Sequence, residues 1–264
     1  MSSEQQEIAQ RYLALQGLGQ EAASLGLRYF NDQASLGTSL KGAQDWLTKA
    51  DGDVETLLRA RIAEAFPGDG VLGEEGGYDQ GTSGCLWVID PIDGTANFAR
   101  NDRMWSISIG VVWNGRPELG LIAAPALGET FLARRGKGAT LNGAAIAASR
   151  TEDMRRAVVE IGWSPRMAVT DYAALVSRAI SSGANVKRCS SGALGMAHVA
   201  NGRCDGYIER QTNSWDVAAG LVIASEAGAY VTEFASGDWL LNGNPLLCCT
   251  PALKTALDGI MKPS

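Results

Sequence analysis

The sequence carries one histidine, His198, in 264 residues. Zinc centres of the HExxH type, paired-histidine phosphatase chemistry and carboxylate–histidine diiron sites need more than one imidazole, so all three are excluded. His198 itself lies in the apolar run Leu194-Gly195-Met196-Ala197-His198-Val199-Ala200 and reads as a packed or capping residue. The five cysteines form no CxxC pair and are odd in number, which argues for a reduced, cytoplasmic chain rather than a disulfide framework. No stretch approaches eighteen uninterrupted apolar residues, and the first residues are polar and acidic. Neither membrane anchoring nor export is expected. Basic residues are too few for a polyanion binder: 23 Lys and Arg against 29 Asp and Glu leave a formal charge of −6, so no nucleic-acid partner is expected.

What remains is an ordinary globular composition, 45% apolar and 20% charged, long enough for one large core or two modest ones. Apolar periodicity predicts helices over 5–30 and 54–66, then a buried strand over 84–89. Strands over 106–113, 118–123, 129–134 and 139–141, the first two joined by Asn114-Gly115-Arg116-Pro117, make an antiparallel middle. Beyond Ser149 strands (157–161, 186–189, 206–209, 230–234) alternate with helices (171–181, 192–200, 215–227, 251–261). The expected architecture is an α/β (α+β) layered fold, residues 1–149 and 150–264 forming two intimately packed halves.

The chemistry concentrates in Trp87-Val88-Ile89-Asp90-Pro91-Ile92-Asp93-Gly94-Thr95-Ala96-Asn97-Phe98. A buried strand delivers Asp90, Pro91 fixes φ, and Asp93 follows three residues later, so two carboxylates converge and require a cation. All-oxygen ligands suit Mg²⁺, and the Ile92 carbonyl could add another oxygen. Gly94 permits close backbone approach, and a helix starting near Thr95 would aim N–H groups at an anion; Thr95 could equally be a plain N-cap. Further acids flank glycines or helix starts: Glu74 and Glu75 in Gly73-Glu74-Glu75-Gly76-Gly77, Asp51 in Leu47-Thr48-Lys49-Ala50-Asp51, and Asp216 after Trp215. Asp51 and Asp216 also read as N-caps.

Gly73-Glu74-Glu75, the Asp90–Phe98 segment and Trp215-Asp216-Val217-Ala218-Ala219-Gly220, in this order, resemble the signature blocks of the inositol monophosphatase family of Mg²⁺-dependent, lithium-sensitive phosphatases. Gly202-Arg203-Cys204-Asp205-Gly206-Tyr207-Ile208-Glu209 resembles a later block. The resemblance implies a layered αβαβα sandwich shared with fructose-1,6-bisphosphatase, usually a homodimer, with two or three Mg²⁺ per site. It assigns Glu74, Asp90, Asp93, Asp216 and the Ile92 carbonyl as metal ligands. Asp51, Glu74 and Thr95 become the catalytic groups that orient or activate the attacking water. Gly94 and Thr95 would hold phosphate, while Asp93, Gly192 and Glu209 would face the alcohol. Two departures, Ser190-Ser191-Gly192-Ala193 in place of Gly-Ser-Ala-Ala and Ser214 in place of Pro, touch the leaving-group pocket rather than the metals. Inositol monophosphate is the first expected substrate. Histidinol phosphate, 3′-phosphoadenosine nucleotides and a non-enzymatic metal-binding regulator on the same fold are the alternatives.

Overall fold

A computed structural model describes residues 3–42 and 45–262. The chain opens with a long helix, α1 (Ser3–Asn31), and a two-stranded hairpin, β1 (Ser39–Gly42) and β2 (Asp45–Leu47). There follow α2 (Lys49–Ala65), β3 (Gly70–Gly73), β4 (Gly77–Asp79), β5 (Cys85–Asp93) and the single-turn α3 (Thr95–Phe98). The strands β6 (Ser106–Trp113), β7 (Arg116–Ala124), β8 (Glu129–Arg134), β9 (Ala139–Leu141) and β10 (Ala144–Ala145) complete an eight-stranded sheet ordered β10-β9-β8-β7-β6-β5-β3-β4. It is antiparallel except where β3 runs parallel to β5.

The second part alternates: β11 (Val158–Ile161), α4 (Val169–Ser181), β12 (Asn185–Lys187), α5 (Gly192–Ala200), β13 (Gly206–Thr212), α6 (Ser214–Glu226), β14 (Tyr230–Val231), α7 (Trp239–Asn242), β15 (Asn244–Cys249) and α8 (Lys254–Met261). Its five strands order as β12-β11-β13-β15-β14.

Strand periodicity explains the layering. On β5, Cys85, Trp87 and Ile89 face one way and pack with Leu15, Ala22, Val54 and Leu58 of α1 and α2. Leu86 and Val88 face the other way, into a core shared with Leu194 and Val199 of α5 and Val217 and Ile223 of α6. The opposite side of that core is Tyr207, Leu246 and Cys248 of the second sheet. Val159, Ile161, Ile208 and Leu247 then pack outward against Leu175 of α4 and Leu257 of α8. The order is helices, sheet, helices, sheet, helices, the αβαβα sandwich that the resemblance implies.

Several sequence expectations need correction. Helix α2 begins at Lys49 rather than Val54, and α6 at Ser214, because Thr48 and Asn213 are the N-caps. Asp51 and Asp216 are the third residues of capping boxes, not caps, and Gly94 rather than Thr95 caps α3. The strand expected over 186–189 ends at Lys187, leaving Cys189 outside it, and that expected over 230–234 stops at Val231. The short strands β3 and β4 were not anticipated. Neither was β15 (Asn244–Cys249): Leu246-Leu247-Cys248-Cys249 is buried on both faces, so it shows no alternation, and exposed Pro245 disguises its start. His198 is packed rather than capping, only 4% exposed. All five cysteines are free.

Helix α6 lies hard against the first sheet. A Cβ at Gly120 would sit 2.3 Å from the Ala219 carbonyl oxygen, a backbone atom that cannot swing aside. Gly120→Ala should therefore destabilise the fold by about 1–3 kcal/mol, read as a lower denaturant midpoint with unchanged slope; an unaltered midpoint would show that α6 is free to shift.

A candidate metal and phosphate site

A register shift builds the site. Asp90 pairs with Ser108 of β6 and Asp93 with Ser106, so three steps on β5 oppose two on β6. Strict alternation would send Asp93 to the face opposite Asp90. The bulge returns it to the α6 side. Helix α6 supplies Asp216 to the same place, and carboxylate oxygens of Asp90, Asp93 and Asp216 lie within 4.8 Å of one another.

Each aspartate is tethered through part of its carboxylate. Asp90 Oδ1 accepts the Ile92 N–H at 3.0 Å. Asp93 spans the two sheets: Gly192 N–H donates to Oδ1 at 3.1 Å, Ala193 N–H to Oδ2 at 2.9 Å, and the Ser191 hydroxyl also donates to Oδ2. It thereby occupies the N-terminus of α5, where the helix dipole favours an anion. Asp216 Oδ2 accepts from Thr212 Oγ1 and Asn213 N–H, both at 3.0 Å. Asp51 Oδ2 accepts from Thr48 N–H at 2.8 Å and Thr48 Oγ1 at 2.6 Å, while Thr95 Oγ1 lies 3.3 Å from Asp51 Oδ1 and 2.9 Å from the Ile92 carbonyl.

Glu74 stands outside the three-carboxylate cluster, yet its charge is the strongest electrostatic influence on Asp90. Its turn is held by Glu55, a residue the sequence reading passed over. Buried Glu55 accepts the N–H groups of Glu75 and Gly76, each at 2.8 Å, and the Arg59 Nε at 2.7 Å. The available signal was spacing: Glu55 follows Asp51 by four residues on one helix face. Gly94 adopts φ +91°, and a Cβ there would approach the Met104 carbonyl oxygen at 2.9 Å. The tight turn between β5 and α3 needs glycine.

The cluster opens onto a cavity of about 160 Å³ that Asp93, Asp216, Gly192, Tyr207 and Glu209 line together with Glu160, Trp163 and Arg188. In its wall the Tyr207 hydroxyl donates to Glu209 Oε2 at 2.5 Å. Gly192 has Tyr207 Oη 3.2 Å from where a Cβ would stand, so a larger residue would narrow the cavity. Glu160, Trp163 and Arg188 were also missed from sequence; nothing local distinguishes them from ordinary strand and loop residues.

Burial governs the electrostatics. Desolvation, reinforced by Glu74 and Asp93, pushes Asp90 well above the usual carboxylate range. Desolvation and then Asp216 raise Asp93 to about 7, against the downward pull of its hydrogen bonds. Burial raises Asp216, lifts Asp51 to about 6, and lifts Glu209 to about 8. Carboxylates that resist ionisation alone are the donor set a hard divalent cation stabilises, so the residues present fit Mg²⁺.

The profile of the inositol monophosphatase family matches residues 7–262. The chain belongs to the inositol monophosphatase family. Among characterised relatives, Nus factor SuhB of Xylella fastidiosa is 37% identical over 219 residues, spanning 82% of this chain and 79% of that protein. Inositol-1-monophosphatase of Rhizobium meliloti is 32% identical over 239 residues, 89% of this chain and 90% of that one. The crystal structure of extragenic suppressor protein SuhB from Bartonella henselae superposes with a TM-score of 0.88 at 27% identity, covering 95% and 97% of the two chains. Members of this family generally use Mg²⁺, and among the described residues no helix is long and apolar enough to cross a membrane.

The raised carboxylates set a pH trend for metal-free protein. Asp93 and Glu209 hold protons in the fold that the unfolded chain releases near pH 4, so their stabilisation is lost as pH rises through about 7 and about 8. His198, lowered to about 4 by burial, acts in the opposite direction but only below about pH 6.5. Thermal unfolding in EDTA should therefore show stability falling between about pH 6.5 and 8, with millimolar Mg²⁺ removing the Asp93 share of the fall. A flat or rising profile in EDTA would contradict this electrostatic assignment.

Proposed function

We propose that the protein is a Mg²⁺-dependent phosphomonoesterase that hydrolyses a small polar alcohol phosphate, inositol monophosphate first. The observation that carries this reading is the convergence of Asp90, Asp93 and Asp216 beside a small cavity whose lining also includes Glu209. The cavity volume and the acidic lining favour a small ester over a polyanion. Glu74, Asp90, Asp93, Asp216 and the Ile92 carbonyl would hold two or three Mg²⁺ ions. Bound there, Mg²⁺ lowers the pKa of water and neutralises charge on the leaving oxygen.

The chain's own groups do the rest. Thr95 Oγ1, placed between Asp51 and the Ile92 carbonyl, orients the attacking water, and Asp51 is buried enough to accept a proton near neutral pH. The first N–H groups of α3, at Gly94 and Thr95, have no intrahelical partners and would bind phosphate oxygens. Asp93, Gly192 and Glu209 would receive the alcohol, Glu209 accepting hydroxyls of a polyol or an amino group.

Residues 1–149 would carry most of the metal ligands, and residues 150–264 Asp216 and the leaving-group pocket. The reading extends to a cytoplasmic, lithium-inhibited homodimer. A second reading, a metal-binding regulator without turnover, draws on relatives that bear the name Nus factor SuhB.

Phosphate release from inositol 1-phosphate, histidinol phosphate, adenosine 3′,5′-bisphosphate and fructose 1,6-bisphosphate distinguishes these readings. Asp93→Asn should retain the fold but lose turnover by about 100-fold or more, because loss of even an indirect metal partner costs 10–100-fold. Glu209→Gln should change the ranking of alcohols more than Mg²⁺ affinity; an equal loss on every ester would remove Glu209 from substrate recognition. Mg²⁺ binding with no phosphate released from any of the four would favour the regulator.

A further inference from the structure

A second group of potential ligands lies outside the carboxylate cluster. Ligand atoms of Glu160 at the end of β11, Cys189 in the segment after β12, and His198 on α5 all lie within 4.8 Å of one another. Glu160 and His198 are 1% and 4% exposed. Glu160 Oε1 accepts the Cys189 N–H at 2.7 Å, which holds the cysteine beside the carboxylate. Glu160 Oε2 receives no hydrogen bond, its charge being met only by Lys187 Nζ at 3.6 Å. His198 Nδ1 is buried and hydrogen-bonds no protein group. The Cys189 thiol donates weakly to the Ser191 carbonyl at 3.2 Å. Buried polar atoms left unpaired on a carboxylate and an imidazole that both lie beside a thiol are costly unless something binds them.

We propose that Glu160, Cys189 and His198 form a second metal site, distinct in chemistry from the aspartate cluster, for a borderline-soft divalent ion of the Zn²⁺ type. Sulfur and imidazole ligands disfavour Mg²⁺ and favour Zn²⁺. Tetrahedral zinc with ordinary bond lengths places its ligand atoms roughly 3.5 Å apart, so the three side chains need only a small closure. Glu160 lines the cavity, which gives an ion a path inward and leaves a fourth position for water. On binding, the Cys189 S–H bond breaks, its proton passes to buffer, and the thiolate, a neutral imidazole nitrogen and the Glu160 carboxylate coordinate the ion, with Lys187 displaced toward solvent. Cys189 adjoins Arg188, and His198 shares α5 with Gly192, so occupancy would fix two parts of the cavity wall.

Co²⁺ reports such a site, because thiolate ligation adds an ultraviolet charge-transfer band that an all-oxygen site lacks. The full-length protein, held in excess Mg²⁺ to fill the aspartate cluster, is titrated with Co²⁺. The expected result is one equivalent bound with the thiolate band, displaced by Zn²⁺. The band should vanish in Cys189→Ser, persist in Cys204→Ser, and require about tenfold more Co²⁺ in His198→Gln or Glu160→Gln. Near-ultraviolet circular dichroism checks that each variant folds. Should Cys189→Ser not fold, His198→Gln decides: weaker binding supports the site and unchanged binding overturns it. No thiolate band in the wild type, or an undiminished band in folded Cys189→Ser, also overturns it.

Discussion

Two buried aspartates and a half-buried third, their carboxylate oxygens confined within 4.8 Å, are the constraint around which this fold is arranged. Such charges repel strongly in a desolvated pocket, and only protons or a cation make the arrangement tolerable. The fold spends three helix N-termini on holding acids in and around the site. Asp93 is gripped by the start of α5, while Asp216 and Asp51 are reciprocal members of capping boxes at α6 and α2. Each carboxylate is thus aimed by the backbone before any ion arrives, so the site is preorganised.

Asp93 also joins the two sheets. It ends β5 of the first sheet, where Ser106 of β6 donates to it at 3.3 Å, yet its three other donors, at Ser191, Gly192 and Ala193, come from the start of the helix that follows β12 of the second. Asn97 reinforces the junction, its amide donating to the carbonyls of Met104 and Cys189 at 2.6 and 2.7 Å. Geometry at the metal end is therefore coupled to the cavity wall, where Gly192, Tyr207 and Glu209 stand. The close approach of α6 to Gly120 fixes Asp216 from the other side.

Much of this was legible in the chain. The Asp90-Pro91-Ile92-Asp93 segment after an apolar strand pointed to a metal, and the order of acidic blocks pointed to a family. The convergence of Asp216 with Asp90 and Asp93 could not be read from spacing, because it depends on α6 crossing the first sheet. The bulge that turns Asp93 was invisible for the same reason: it is a property of β5 against β6, not of β5 alone. Asp51 and Asp216 looked like caps because an acid at the cap and one at the third helical position differ by only three residues. The strand β15, apolar on both faces, carried no local signature, and the anchor Glu55, one acid among many on a helix, had only its spacing from Asp51 to mark it.

Cation and protons compete for the aspartate cluster, a competition that calorimetry of Mg²⁺ binding reads. Titrations at pH 7 in two buffers of different ionisation enthalpy separate proton release from binding heat. Net proton release should accompany Mg²⁺ binding, increasing as pH is lowered toward 6 and fading above about pH 9 as Asp93, raised to about 7, is already ionised. Mg²⁺ binding without proton release at any pH, or no Mg²⁺ binding, would contradict it.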